Sequence, residues 1–357
     1  MSVERLEWPG GLYGWLVKDY EEARNALNDA RLSKDPRNAP PEWQAAGRGR
    51  PLEDRQGLGT HLLTMDPPEH TEVRAVLSPH FRPRALERLR PRIEQVASDL
   101  AGGLTGQVDL IGRFAAPLSM TVICELLGVT RRDTGRWADA VVAEGDREAA
   151  LREFAAFIPD LVASKRREPG ADLVSVLADG RLPEPHLVNS IFLLLIAGYE
   201  TTVDLIGNGM LALLTHPGQL ALLRDRPGLL PAAVEELLRY DGPVGRSTWR
   251  FAVEPVRIGG RLLEEGEPIL VALHEANRGL DPALDVTRAH NPHLAFGYGR
   301  HYCLGAHLAR LEATVAVRAL IGKDLELAVP AHTLERRRSL TLRGLRALPV
   351  TVGRRPR

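Results

Sequence analysis

Phe296-Gly297-Tyr298-Gly299-Arg300-His301-Tyr302-Cys303-Leu304-Gly305 runs directly into Ala306-His307-Leu308-Ala309-Arg310-Leu311-Glu312, whose apolar residues recur at helical spacing. A cysteine therefore stands at a helix start behind a run of glycines. There the backbone N–H groups and the positive end of the helix dipole aim at its sulfur and favour thiolate, the metal-ligating form. The glycines let the backbone approach a large flat partner, and Phe296 is placed to pack beside the sulfur. A lone Cys-x-Gly is ordinarily a buried free cysteine beside a turn, but here five spaced positions agree. Zinc and iron–sulfur centres need three or four Cys or His ligands, and the other cysteine, Cys124, lies in an apolar helical pattern as a core residue. One thiolate as sole protein ligand fits haem, whose porphyrin supplies the equatorial nitrogens.

The segment resembles the signature of the cytochrome P450 family, Phe-x-x-Gly-x-(His/Arg)-x-Cys-x-Gly, at Phe296, Gly299, His301, Cys303 and Gly305. The resemblance implies haem b (iron protoporphyrin IX) between a long central helix and the Cys-ligand loop. Cys303 is then the axial iron ligand and His301 a propionate contact, with Phe296, Gly297 and Gly305 against the cofactor.

Upstream, Glu184 to Thr215 reads as one helix, about 45 Å long at 1.5 Å per residue. Its centre, Ile196-Ala197-Gly198-Tyr199-Glu200-Thr201-Thr202, puts a glycine, a carboxylate and two β-branched alcohols in an apolar run, choices unfavourable or neutral for a helix interior. The resemblance makes this the oxygen-activation segment. Ala197 and Gly198 would lie against the haem, Gly198 opening the helix over the iron. Thr201 would hydrogen-bond bound oxygen and Glu200 relay protons through water, as O–O cleavage demands. Glu236-Leu237-Leu238-Arg239 matches the family's structural Glu-x-x-Arg, an i, i+3 pair on one helix face. His70 and Arg74, four apart, resemble a propionate clamp, with Arg250 as a third cation. Members normally have a longer loop after Arg278; here the third partner of Glu236 and Arg239 is expected to be Arg278 or Arg288, since an unpaired buried charge costs several kcal/mol.

The 357 residues are 44% hydrophobic and 26% charged, an ordinary globular composition, with 46 basic residues balancing 46 acidic ones. No global field draws the chain to nucleic acid or anionic lipid. No basic segment followed by an apolar run opens the chain, and Ile191 to Tyr199, the longest apolar run, is too short to span a bilayer. With no more than one possible disulfide, a reducing cytoplasm is expected.

The predicted fold class is mainly α with a minor β part, a single domain over residues 1–357. Helices are expected at Asp19–Asn28, Pro68–Leu77, Ala85–Leu104, Ala115–Leu127, Arg147–Arg166, Pro217–Arg226 and Leu230–Tyr240. Strands are expected at Gly14–Val17, Val256–Ile258 and Pro268–Leu273, and a hairpin at Leu340–Leu342 with Leu348–Val352. Arg31 to Arg55, rich in Pro, Gly and charge, reads as a long surface loop. Family members usually carry a proline-rich segment and a first helix before the equivalent of Gly11 to Trp15; this chain starts almost there, so either a more open substrate entrance or a true start further upstream is expected.

The resemblance implies a soluble bacterial monooxygenase that inserts one atom of O2 into an apolar small molecule by hydroxylation or epoxidation. Electrons would come from ferredoxin and ferredoxin reductase, and the family default is a monomer. Asp66-Pro67-Pro68-Glu69-His70 and the stretch Leu237 to Val244 are most similar to actinobacterial members that tailor polyketides and related secondary metabolites, as in antibiotic biosynthesis. The same resemblance walls the substrate pocket with His61, Leu62, Leu63, Leu194, Ala197, Val244, Gly245 and Leu345. Arg82, Arg84, Arg88, Arg90 and Arg92 form a basic run suited to an acidic electron carrier or to a solvated helix face. The rival functions are a peroxide-driven haem oxygenase, against which the intact acid–alcohol pair argues, and a non-catalytic haem or ligand-binding protein.

Overall fold

The computed structural model describes residues 2–8, 10–46, 60–130 and 147–353, and helices make up most of them. In chain order they are α1 (Tyr20–Asn28), α2 (Pro41–Ala45), α3 (Glu69–Leu77), α4 (Pro83–Leu86), α5 (Arg90–Gly102), α6 (Ala116–Leu127), α7 (Arg147–Arg167), α8 (Leu173–Leu177), α9 (Glu184–Thr215), α10 (Pro217–Asp225), α11 (Leu230–Asp241), α12 (Leu273–Leu280) and α13 (Ala306–Ile321). Local chemistry sets several starts. Asp19 caps α1 by accepting from the Glu22 N–H at 3.1 Å, with Glu21 and Glu22 against the positive helix end. Prolines stand in the first turn of α9 and α11, where a missing N–H costs nothing.

Helix α9 is apolar on nearly every side, and such a helix must be enclosed by others. Its most apolar stretch is long enough to cross a membrane but is 78% buried inside the protein, so it is a core helix. The largest apolar cluster surrounds it, drawing on α3 to α11 and α13. Glycines let neighbours close in: a Cβ at Gly209 would meet Leu237 of α11 at 3.1 Å.

The strands β1 (Val3–Glu7), β2 (Tyr13–Val17), β3 (Leu32–Ser33), β4 (Gly106–Asp109), β5 (Arg250–Ala252), β6 (Val256–Ile258), β7 (Arg261–Leu263), β8 (Pro268–Val271), β9 (Leu325–Leu327) and β10 (Pro349–Val352) form three small sheets. The largest has the order β1-β2-β8-β5-β3; β2 and β8 are parallel, with Trp15 opposite Ile269, and the other neighbours are antiparallel. Its core includes Trp15, Val17 and Val271 with α1 and α12. Trp249, just before β5, stacks edge-on with Trp43 at 4.7 Å, which fixes the strand that carries Arg250.

Four sequence expectations change. The hairpin of Leu340–Leu342 with Leu348–Val352 does not form: β10 pairs with β4 and β9, while Leu342 bridges to Val244 and Leu345 to Arg336. Helix α12 stands where a strand end was expected. The helix expected at Ala85–Leu104 is broken into α4, a 3-10 turn at Glu87–Leu89 and α5, whose second residue is Pro91. Arg31 to Ala46 is structured as β3, a 3-10 turn and α2, with Trp43 buried, and the rest of that expected loop, 47–55, lies outside the described residues.

Candidate active site

The cysteine loop is held by its own backbone. Gly297 and Gly299 take φ of +71° and +72°, a left-handed conformation open to glycine, and the two turns bring the Cys303 N–H to the Phe296 carbonyl at 2.9 Å. Helix α13 begins three residues after Cys303. The thiol has accessible surface, yet burial pushes its pKa up, which together describe a sulfur facing an enclosed space. Against burial, the Gly305 N–H and the charges of Arg74 and Arg310 favour the thiolate. Phe296 packs beneath the Arg310 guanidinium, 4.5 Å from its ring centre.

Behind the loop lies a closed ion network. Glu236 and Arg239 are essentially inaccessible and paired through two bonds of 2.8 Å. Arg288 adds a third contact to Glu236 at 3.1 Å, so of the two expected partners it is Arg288 that serves; Arg278 lies over the Tyr240 ring instead. The remaining donors of Arg239 go to the carbonyls of Asn277, Asp281 and Ala283. The Asn277 side chain in turn accepts from the Leu294 N–H at 2.7 Å, which ties the network to the start of the cysteine loop. A small apolar cluster of Leu205, Val234, Leu238, Phe296 and Ala306 joins α9, α11 and the loop.

A second buried charged group is open. The rings of His70 and His301 lie 4.2 Å apart, and neither Nε2 has a hydrogen-bond partner. Arg250 is buried with one long bond, to the Leu27 carbonyl at 3.5 Å. Arg74 donates to the Tyr302 carbonyl at 2.7 Å. Sequence reasoning missed two neighbours, Lys34 and Arg300. Lys34 is buried, with its Nζ on the Trp249 carbonyl at 2.8 Å and on the Thr248 hydroxyl. Its signal was compositional: it is one of only four lysines among 46 basic residues. Burial drives His70, His301, Arg74, Arg250 and Lys34 toward neutrality. It lowers His70 to about 4, with Arg74 and Arg300 adding to the effect. It lowers His301 to about 2, helped by Lys34, His70, Arg250 and Arg300. Arg250 falls to about 10, and Lys34 lies well below its ordinary value. Asp66 is the carboxylate that opposes these shifts at His70, Arg250 and Lys34. Orphaned ring nitrogens and buried cations with too few acceptors call for an added anion.

Central helix α9 supplies the other wall. From Ser190 to Met210 it is buried, except for one stripe: Leu194, Ala197, Gly198 and Thr201 keep accessible surface, and their i, i+3, i+4, i+7 spacing places them on one face. The helix is continuous through Gly198 rather than opened there. What Gly198 permits is close packing behind it, since a Cβ would meet Ile123 of α6 at 2.9 Å. The Thr201 hydroxyl donates to the Ala197 carbonyl at 2.6 Å, which commits its proton and leaves acceptor lone pairs. Glu200 is buried beside it.

Of the expected substrate wall, Leu63, Leu194, Ala197 and Val244 keep accessible surface, whereas His61, Leu62, Gly245 and Leu345 are buried among neighbours. Gly245 lies against the Arg343 side chain, with its N–H on the Thr341 carbonyl. In the basic run, Arg90 pairs with Glu87 and Glu94 and Arg92 with Glu125, while Arg82, Arg84 and Arg88 have no ion-pair partner among the described residues.

This arrangement matches known proteins over almost its whole extent. The family model "Cytochrome P450" matches residues 223–327. The 6-deoxyerythronolide B hydroxylase of Saccharopolyspora erythraea is 45% identical over 96% of this chain and 91% of its own. The chain is a cytochrome P450. The monooxygenase PikC of Streptomyces venezuelae is 42% identical over 98% of this P450 and 87% of its own length. The solved structure of the tirandamycin C-bound P450 monooxygenase TamI superposes with a TM-score of 0.90 at 40% identity, covering 99% of this chain and 94% of that one. As a P450 the protein is a haem-thiolate monooxygenase that uses haem b and O2. P450s of this kind act on apolar substrates and use redox partner proteins. The residues present fit the cofactor: a free cysteine facing an enclosed space, and a buried cationic group with orphaned ring nitrogens suited to two carboxylates.

Proposed function

We propose that this P450 hydroxylates or epoxidises a polyketide-like secondary metabolite in the cytoplasm, as a single-domain monomer supplied with electrons by ferredoxin and ferredoxin reductase. The observation that carries the reading is the open stripe Leu194, Ala197, Gly198 and Thr201 in the otherwise buried stretch Ser190–Met210 of α9, an apolar face ending in one alcohol. It is supported by relatives whose names specify macrolide-type substrates.

Cys303 would hold the iron, and Phe296, Gly297 and Gly305 would shape the loop around it. His70, Arg74, Arg250 and His301, with Lys34 and Arg300, would hold the propionates. Haem b, when bound, supplies the activation of dioxygen. Around it, Thr201 would accept a hydrogen bond from a donor in the open space, because its own proton is committed to Ala197. Glu200 would bring protons to the same face from the buried side of the helix. Leu63, Leu194, Ala197 and Val244 would exclude water and position the substrate carbon, backed by His61, Leu62, Gly245 and Leu345. Glu236 and Arg239 hold the loop without touching substrate.

Titrating the purified protein with 6-deoxyerythronolide B, tirandamycin C and a fatty-acid series tests the substrate class. A low-to-high-spin shift with the polyketides at lower concentration than with the fatty acids is expected. A response to fatty acids alone would overturn the reading.

A further inference from the structure

Asp204 lies one helical turn beyond Glu200 on α9, so the two side chains share a face with Cβ atoms about 5–6 Å apart. Asp204 is 1% exposed; its Oδ1 accepts from Arg337, and its Oδ2 has no hydrogen-bond partner. Arg337, on the segment between α13 and β10, is part exposed and carries the contact out to solvent. The pair is built against bare backbone: a Cβ at Gly344 would collide with both the Asp204 carboxylate and the Arg337 guanidinium. A carboxylate kept only to anchor this segment would spend both oxygens, as Glu236 does. Asp204 spends one and leaves the other buried.

We propose that Asp204 is a second proton-holding carboxyl, which reloads Glu200 with protons drawn from solvent at the Arg337 edge. The inference rests on Glu200 serving as the proton donor to the open face of α9. When Glu200 gives up its proton it becomes a carboxylate, and the Asp204 carboxyl passes its own proton to it through one bridging water. The Asp204 carboxylate left behind is balanced by Arg337 and takes a proton from bulk water at the exposed side of that guanidinium. One proton enters from solvent for each one delivered, and no electrons move along this route. The charged groups acting on Asp204 are Arg337 and Arg336 from the loop and Glu200 from its own helix. Burial, opposed by the arginines and reinforced by Glu200, holds its pKa up at about 7, where a proton carrier works at neutral pH.

The test uses haem-loaded protein with NADPH, ferredoxin and ferredoxin reductase, without added substrate, so that oxygen leaves as peroxide or as water. One NADPH and one proton convert O2 to hydrogen peroxide; two NADPH and two protons convert it to two waters. In the wild type, peroxide released per NADPH should rise as pH passes 7. Asp204→Asn should release peroxide at the high-pH level throughout, with water formation slowed about tenfold below pH 7. Arg337→Met, which keeps the carboxyl but removes its counter-charge, should shift the inflection to higher pH, an effect that loss of a structural tie would not produce. Infrared spectra read the group directly: a protonated-carboxyl band that titrates near pH 7 should vanish in Asp204→Asn. If Glu200→Gln perturbs the peroxide yield while Asp204→Asn leaves both profile and band unchanged, the role of Asp204 is overturned and that of Glu200 stands. If Glu200→Gln is also silent, both fall.

Discussion

Two buried charged clusters flank the cysteine loop, and they are built in opposite ways. Around Glu236 every donor and acceptor is met from within the chain: Arg239, Arg288 and the Asp285 N–H satisfy the carboxylate, and three carbonyls take up the rest of Arg239. Around His70 and His301 the donors outnumber the acceptors, two ring nitrogens are orphaned, and burial drives the groups toward neutrality. A closed network is suited to holding architecture, whereas an open one in which cations outnumber the carboxylate Asp66 is suited to receiving an anion. Electrostatics alone thus separates the residues that support the loop from those proposed to receive the cofactor.

The contrast breaks first at Glu236. Glu236→Ala leaves Arg239 charged and unpaired in the interior and should cost about 3–5 kcal/mol, enough to remove most folded protein, as denaturant unfolding would show. Next comes acid. Unfolded His70 takes a proton near its ordinary pKa of 6.5, folded His70 only at about 4. Between those values the unfolded state binds more protons, so stability falls as pH drops through that window and is unaffected above it. His70 alone should cost the haem-free protein up to about 3 kcal/mol there. Bound propionates should blunt the loss, and His70→Gln should remove the share of it that His70 contributes, leaving that of His301; an identical acid profile for His70→Gln would refute the assignment.

Arg250→Met sharpens the comparison from the other side. It should leave haem-free stability unchanged or improved, because a buried cation lacking a carboxylate partner is lost, yet weaken haem retention by about 1.5–3 kcal/mol in competition with apomyoglobin. Destabilisation of the haem-free protein would place Arg250 with the closed cluster instead. The smallest effect concerns the surface run. Arg90 and Arg92 are already neutralised by acids, so Arg90→Gln with Arg92→Gln should barely change ferredoxin affinity, whereas the same change at Arg82, Arg84 and Arg88 should weaken it in a salt-dependent way.

Much of this was legible in the order of residues. Cys303 behind its glycines and the polar interruption at Glu200-Thr201 each depart from what a plain turn or helix would use, whereas Glu236-x-x-Arg239 is an ordinary helical pair that gained meaning only in order with them. The long apolar run specified the central helix. What failed was pairing at a distance. Alternation in Leu348–Val352 shows a strand but not that its partners are Gly106–Asp109 and Leu325–Leu327. Lys34 sits in a stretch that reads as loop, and only the tertiary fold buries it beside Trp249. Arg288 was foreseeable as one of two candidates, because a buried Glu236 demanded a further partner. Gly198 does not open the helix as expected; a Cβ there would meet Ile123, so the glycine serves close packing.

The measurement that bears most directly on the central claim is the absorption spectrum of the purified haem-loaded protein after dithionite reduction and addition of carbon monoxide. The strongly red-shifted Soret band of thiolate ligation is predicted for the wild type, and its loss for Cys303→His. A band at the position of a histidine- or thiol-ligated haem in the wild type would contradict the assignment of Cys303.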